Sequence, residues 1–325
     1  MSGLCRICGS AAVHTVGAVE YLTGFRVPVI DCDACGCRFT THDATVHDRF
    51  HQGRTLSYYD DYSGLAARCE ALFAADDADG LKRELERWPK YRFIIEQVSR
   101  APSHARILEV GSSRGYLAAY FILTGRTIRG VDISATAVQS ARAAFGDHFS
   151  THDAPDAYAG GPFDIIYHVG VIGCVADPIA MTRSLLARLT PGGTLLFNAP
   201  NLDALRLRGQ LWLDSAPPPD LVTLFPPGFW RRQLSTVADV DETIERLNAD
   251  VSVAQAAREL VRVPWHPPAP KPMSARAIVW QQPSGGVRDV AARVLARAAR
   301  TAGLAGMVTR RPAEFGLFVS MRARS

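Results

Sequence analysis

The sequence predicts an α/β protein, a parallel doubly wound sheet preceded by a small N-terminal metal ribbon. Three observations carry this. Between Arg106 and Pro200, strand-like apolar runs alternate with helix-length segments, as in a parallel sheet with helical crossovers. Within that stretch, an aliphatic strand, Ile107 to Val110, stops at Gly111, turns tightly through Ser112 to Gly115, and enters an apolar helix with Leu117, Ala118, Phe121 and Ile122. Ahead of it, five of the seven cysteines fall in the first 37 residues.

The cysteines come first in the chain. Cys5-x-x-Cys8 and Cys32-x-x-Cys35-Gly36-Cys37 form two knuckles separated by a strand-like stretch. Two such knuckles place four thiolates around one zinc ion, and four sulfurs close its shell, so the metal is expected to be structural. Cys5, Cys8, Cys32 and Cys35 are the expected ligands, with Cys37 the alternative to Cys35. A disulfide reading conflicts with the reducing cytoplasm expected for this chain. Cys69 and Cys174 stand alone and read as small buried apolar residues.

Residues 40–65 are polar and aromatic, as in a linker or lid. Helices are expected over Leu65–Ala75 and Leu81–Arg100, with Pro89 either kinking the second or starting a new one. In the alternating region, strands are expected at Ile107–Val110, at Thr127–Val131 ending in Asp132, before His152-Asp153, at Phe163–Tyr167 and up to Phe197. Helices fall near Gly115–Thr124, Ala135–Phe145 and Pro178–Leu189. Past Asn201 the proline runs at Pro217–Pro219 and Pro264–Pro272 break regular structure. Between them Val237–Val263 reads as helical. Ala277–Trp280 and Phe315–Met321 read as the last two strands, and Val287–Ala302 as an amphipathic helix. Three domains are thus expected: a ribbon over 1–45, a helical lid or linker over 46–100, and a main domain over 101–325 carrying an insertion at about 201–275.

Composition sets bounds. The chain of 325 residues is 47% hydrophobic and 21% charged with a net charge of +4, values of an ordinary globular protein. The longest nearly apolar stretch, Ile165–Ala176, is too short to cross a bilayer, and the cysteine-bearing N-terminus is unlike a signal peptide, so a cytoplasmic protein is expected. From Val287 onward eight arginines face only Asp289 and Glu314, which a solvated helix face accounts for. Between the cysteine knuckles Arg26 stands beside Glu20 and Asp31, a poor surface for phosphate, so nucleic acid is not an expected partner.

Glu109, Gly111, Ser113 and Gly115 resemble motif I of the class I S-adenosylmethionine-dependent methyltransferases, Glu/Asp-x-Gly-x-Gly-x-Gly, with serine in place of the middle glycine. The resemblance runs from about residue 90 to 200 and includes Asp132, His152-Asp153, the strand Phe163–Tyr167 and Pro191-Gly192-Gly193. It implies a Rossmann-like seven-stranded methyltransferase sheet whose last two strands form an antiparallel edge. It also implies S-adenosylmethionine as cofactor. Glu109, Gly111, Ser113 and Gly115 would hold the methionine end, Asp132 the ribose, Ile133 the adenine face and Asp153 the adenine amine.

Methyl transfer is an in-line displacement that chiefly needs alignment and exclusion of water. A base is needed only where the acceptor must lose a proton. Tyr167 and His168, at the end of the fourth strand, are the candidates. Trp212, Phe225, Phe229 and Trp230 are expected either to wall an acceptor pocket or to form core. The combination with an N-terminal ribbon is similar to methyltransferases of saccharide and specialised-metabolite pathways, which points to a small-molecule acceptor methylated on oxygen or carbon. An RNA or protein acceptor is the alternative, favoured only by the arginine-rich tail. A serine hydrolase is the rival class, because Gly111-Ser112-Ser113-Arg114-Gly115 also reads as Gly-x-Ser-x-Gly, with His266 as partner of Ser113. Tyr116 where a third glycine would stand argues against a dinucleotide-binding dehydrogenase.

Overall fold

The computed structural model describes residues 3–20, 26–41, 43, 60–154, 157–207, 209–213, 216–244 and 316–324. The chain divides into two compact units; the described parts of the first come from Met1–Thr41, Pro200–Pro227 and Ile244–Leu317, and those of the second from His42–Ala199, Gly228–Thr243 and Phe318–Ser325.

The first unit is a four-stranded sheet in the order β1-β2-β3-β9. β1 (Val13–Glu20) and β2 (Arg26–Cys32) form an antiparallel hairpin, with a register shift between Thr15 and Gly17. β3 (Arg38–Thr40) returns along β2. The fourth strand comes from far along the chain: in β9 (Thr223–Leu224), Leu224 and Thr223 pair with Arg38 and Phe39. Charged side chains fix this closure. Arg38 is buried and bidentate on Asp31, at 2.6 and 2.9 Å, and also donates to the carbonyls of Gln210 and Leu211. Burial works to raise the Asp31 pKa, but Arg38 and Arg206 outweigh it and hold the carboxyl below its usual value. Arg6 donates to the Val222 carbonyl and the Thr223 hydroxyl. Such small units need staples beyond apolar burial, and here they are ionic and cysteine-based. Trp212 and Phe225, each at most 1% exposed, are core of this unit.

The second unit is built on a seven-stranded sheet in the order β10-β11-β8-β7-β4-β5-β6. An interior strand, β4 (Arg106–Val110), pairs in parallel with β5 (Thr127–Asp132) and β7 (Phe163–His168). β6 (Phe149–Thr151) and β8 (Leu189–Pro200) extend the parallel run on either side. β10 is Ala238–Ile244 and β11 is Gly316–Ala323.

The helices follow from the sequence. Pro89 does not kink a long helix but begins one: α2 (Ala78–Leu85), capped by the Asp77 carboxylate on the Gly80 amide, ends before α3 (Pro89–Ser99). α1 (Asp60–Ala74), α2 and α3 bury Leu65, Cys69, Leu81, Leu85, Ile94 and Val98 in one core. Ile107, Ile165, Tyr167 and Leu196 enter that core from the sheet, with α4 (Tyr116–Leu123) and α5 (Ala135–Phe145) packed over them. Each fully buried Leu or Phe contributes roughly 1.5–3 kcal/mol. A parallel sheet needs cover on both faces. On the opposite face His168 stacks on Phe197, which in turn meets Trp230 of α8 (Phe229–Leu234) edge-on. α6 (Pro178–Leu186) and α7 (Leu202–Leu207) complete the described helices.

One sequence expectation is overturned. Ala238–Ile244 lies within the expected helix Val237–Val263 but forms β10. Its residues alternate between sheltered and exposed, Ala238, Val240, Glu242 and Ile244 against Asp239, Asp241 and Thr243, a period of two that outweighs any helical periodicity. Residues 245–263, the expected strand Ala277–Trp280 and the expected helix Val287–Ala302 lie outside the described residues. The last strand is found as expected, as β11, and Phe318 within it stacks on Phe93 of α3.

Candidate active site and metal centre

The parallel strands β4, β5 and β7 end together, and the loop after β4 forms the candidate crevice. Gly111, Ser113 and Gly115 all have positive φ, of 73°, 49° and 77°. A side chain on Gly111 would meet Val171 at 2.3 Å, and one on Gly115 would meet the Phe149 ring at 2.5 Å. Glycine at both ends therefore serves conformation and packing together. Ser113 adopts the left-handed region without being glycine. Gly111 and Ser112 donate to the Val131 carbonyl, so the loop is tied to the adjacent strand.

Asp132, the last residue of β5, closes the arrangement. Its Oδ2 accepts from the Ser113 amide at 2.7 Å, and its Oδ1 accepts from the Ser134 amide at 2.8 Å. Each carboxylate oxygen keeps a lone pair for a further donor such as a ribose hydroxyl. Ile133 beside it is 39% exposed, one of few large apolar side chains so presented among the described residues. Asp153 lies in an exposed turn after β6. Its neighbour His152 is hydrogen-bonded through Nδ1 to the Tyr158 hydroxyl at 2.7 Å.

Glu109 lies beneath the loop and is 4% exposed. Burial pushes its carboxyl up to about 8; the Tyr167 phenol and the Ala118 amide of the first turn of α4 pull it down, and Asp132 pushes it further up. Its Oε2 and the Ser112 hydroxyl are buried without a hydrogen-bond partner. Tyr167 is the register partner of Glu109 on β7 and shares its face of the sheet. Burial, and then Glu109, raise the phenol well above its usual range.

His168 points to the other face. It is fully buried, neither ring nitrogen has a partner, and burial lowers it to about 3. The imidazole is thus neutral and enclosed at physiological pH, poorly placed to take a proton from an acceptor. Tyr167 is equally enclosed, packed on Phe121. The two sequence candidates for proton transfer therefore point away from each other. Phe229 and Trp230, like Trp212 and Phe225, are buried in the core. Groups that do lie at the strand ends, and that sequence reasoning passed over, are Asn198, which accepts from the Gly170 amide at 2.9 Å, and Val171 over Gly111. Nothing in the local sequence marks either.

The hydrolase alternative lacks its machinery. β4 is the first strand of its sheet in chain order, whereas a nucleophile elbow follows several strands. Among the described residues no histidine is hydrogen-bonded to Ser113, and His266 lies outside them.

In the first unit, the sulfurs of Cys5, Cys8, Cys32 and Cys35 all lie within 4.8 Å of one another, with Cys5–Cys35 at 3.8 Å and Cys8–Cys32 at 3.7 Å. A tetrahedron of thiolates about 2.3 Å from zinc has edges of about 3.8 Å, so the donor set fits that ion. Both knuckles turn alike: Gly9 and Gly36 have positive φ, and their amides donate to the Cys5 and Cys32 carbonyls. Cys37 is buried outside the group of four. The Cys35 thiol and burial push Cys5 up to about 12; a divalent cation among the sulfurs is what would reverse this.

Comparison with known proteins defines the class. Residues 81–237 match the model of a family described as a methyltransferase domain, and this part of the chain is one. Its seven-stranded, mostly parallel sheet is the Rossmann-like fold of S-adenosylmethionine-dependent methyltransferases. Among curated proteins, the chain is 27% identical over 159 residues to a ubiquinone biosynthesis O-methyltransferase of Xanthomonas axonopodis pv. citri, covering 47% of this chain and 62% of that protein. The same enzyme of Xanthomonas campestris pv. campestris is 27% identical over 132 residues, covering 38% and 55%. The chain thus spans less than two thirds of the length of these relatives. Among solved structures, it is similar to a methyltransferase of Mesorhizobium loti (15% identity, 70% of this chain and 96% of that one, TM-score 0.41). It is also similar to a plantazolicin methyltransferase in complex with a triazolic desmethylPZN analog and SAH (11% identity, 86% and 96%, TM-score 0.42). No described helix is long and apolar enough to cross a membrane.

Proposed function

We propose that this chain transfers a methyl group from S-adenosylmethionine to an oxygen or carbon of a small-molecule acceptor. The observation that carries the reading is the crevice itself. A tight loop with glycine at both ends is clamped to the carboxylate of Asp132, with an exposed Ile133 beside it and buried, unpartnered oxygens on Glu109 and Ser112 beneath it. These residues fit the cofactor's chemistry. Gly111, Ser113 and Gly115 would line its methionine end, Asp132 would accept from the ribose hydroxyls, Ile133 would lie along the adenine, and Asp153 would take the adenine amine. When bound, the cofactor supplies an electrophilic methyl on a sulfonium. The chain's residues orient the two reactants and exclude water, and no buried side chain has to act as base.

An oxygen acceptor on a small molecule is supported by the similarity to O-methyltransferases of ubiquinone biosynthesis, 27% identical over 159 residues. The zinc ribbon is structural in this reading. With β9 and the Arg6, Arg38 and Arg206 contacts, it forms one body with the segment that follows β8.

The test is transfer of labelled methyl from S-adenosylmethionine to a panel of catechols, quinols and sugar hydroxyls, with RNA and protein extracts as comparators. Label in a small molecule is expected. Label only in macromolecules, or no cofactor binding, would refute the reading.

A further inference from the structure

The parallel sheet changes winding direction between β4 and β7: the chain runs outward through β5 and β6, then crosses back to β7 and β8. Ligands of such sheets bind beyond the carboxyl ends of the strands at that point. The two loops that leave it meet, because Val171, after β7, lies over Gly111, after β4. Asn198 of β8 sets the β7 loop. Its Oδ1 accepts from the Gly170 amide at 2.9 Å. The Gly170 carbonyl accepts from the Cys174 thiol at 3.3 Å, and the Val171 carbonyl from the Cys174 amide at 2.9 Å. The loop is thus tied at both ends. Gly170 has φ of 72°, and a side chain there would meet nothing within 4 Å among the described residues, so the space beside it is open.

The register gives the face of Asn198. Leu196 pairs with Tyr167, and Phe197 with His168, the last pair of the ladder. Asn198 stands one residue beyond it, on the face of Leu196 and Tyr167, which is also that of Glu109. It is half-buried between buried Phe197 and Ala199. A main-chain N–H can only donate, so the orientation of the Asn198 amide is settled: its oxygen faces Gly170 and its NH2 is turned away. Among the described residues no group accepts from that NH2. It is a pair of fixed donors at the mouth of the crevice. Donors recognise oxygen lone pairs and do not recognise an ammonium, which has none.

We propose that Asn198 selects the acceptor's chemical class: its Nδ2 donates to an oxygen of the acceptor, so hydroxyl- and carbonyl-bearing molecules are held at the strand ends and ammonium-bearing ones are not. An amide neither takes nor gives a proton at neutral pH, so its work is orientation and choice. This rests on the small-molecule reading above and narrows it to acceptors that turn an oxygen lone pair toward β8.

The variant that tests this is Asn198→Asp. Its carboxylate still accepts from the Gly170 amide, so the loop stays tied, but its second oxygen carries lone pairs where the amide had hydrogens. The probes are catechol, hydroquinone and glucose, with glucosamine, an ammonium in place of a hydroxyl, as the counterpart. Two quantities are measured on the full chain: kcat and KM of methyl transfer from S-adenosylmethionine, and the calorimetric affinity of each probe for the protein saturated with S-adenosylhomocysteine. In Asn198→Asp, affinity and kcat/KM for the hydroxyl probes should fall about tenfold or more, chiefly through KM, and preference should move toward glucosamine. Affinity for S-adenosylhomocysteine itself should stay within about twofold. Asn198→Ala, which removes the tie and the donors together, should show the loss without the move toward the amine. Hydroxyl probes handled by Asn198→Asp as by the wild type overturn the inference and leave Asn198 a loop tie. So does a fall in S-adenosylhomocysteine affinity as large as the fall for the probes. Should Asn198→Asp fail to fold, equal probe affinities in the wild type and Asn198→Ala overturn it. A wild type that binds S-adenosylhomocysteine but methylates no probe overturns the small-molecule reading and this inference with it; one that does not bind S-adenosylhomocysteine overturns the cofactor reading itself.

Discussion

The main-chain amide of Ser113 donates to Asp132 Oδ2 at 2.7 Å, so the turn after the first strand of the parallel sheet is held by the carboxylate at the tip of the second. One side chain thereby does two things. It fixes the loop before any ligand arrives, and it presents its remaining lone pairs outward. Preorganisation of this kind lowers the ordering cost of binding.

Asp132→Ala removes both functions. A charge-assisted hydrogen bond is worth about 1.5–3 kcal/mol, so S-adenosylhomocysteine affinity should fall by about 10- to 100-fold or more while the far-ultraviolet circular dichroism stays that of the wild type. Calorimetry checks this, and an unchanged affinity would remove Asp132 from the site.

Ser113 holds φ at 49°, a region that suits glycine. Ser113→Gly should relieve that strain while adding freedom to the unfolded chain, for a net change within about 1 kcal/mol. Ser113→Val, with a β-branched side chain at positive φ, should lose about 1–2 kcal/mol or more. Urea unfolding of the two variants gives the comparison. Equal stabilities would mean that the loop relaxes out of the left-handed region.

His168 makes stability depend on pH in a definite direction. In the unfolded chain an imidazole takes up a proton below about pH 6.5, whereas burial lowers the folded value to about 3. The unfolded state therefore binds more protons between those limits, and stability falls as pH drops through that window, by at most about 1.4 kcal/mol per pH unit. His168→Leu should flatten this limb in urea titrations between pH 4 and 7. A limb near pH 6.5 in kcat/KM that vanished in the same variant would instead show a working base.

The cysteine cluster should hold about one zinc ion per chain, measured by plasma mass spectrometry, and chelation should lower the melting temperature. Cys35→Ser should lose the metal, and Cys37→Ser should keep it, because Cys37 lies outside the group of four sulfurs. Metal loss in the Cys37 variant alone would reverse that assignment.

The parallel sheet was legible because its signals are local. Strands such as Ile107–Val110 and Thr127–Asp132, the turn between Gly111 and Gly115 and the helix Ala135–Phe145 are written in consecutive residues, and so are the two cysteine knuckles. What local signals do not carry is pairing and facing. That Thr223–Leu224 completes the ribbon sheet depends on where Arg6, Arg38 and Arg206 find partners, up to 217 residues away. That Ala238–Ile244 is a strand depends on the sheet edge it joins.

Side-chain facing decided the site as well. Tyr167 and His168 are neighbours in sequence and looked like a pair at a strand end, but consecutive residues of a strand point to opposite faces. Tyr167 went to the Glu109 side and His168 to the Phe197 side. The sequence alone determined the strands of the parallel sheet, the turn between Gly111 and Gly115 and the cysteine knuckles, because short-range sterics and periodicity act within a few residues. Only the tertiary structure decided that a buried carboxyl would meet a phenol and a helix end with no cation beside it among the described residues, because burial and charge are properties of the assembled neighbourhood.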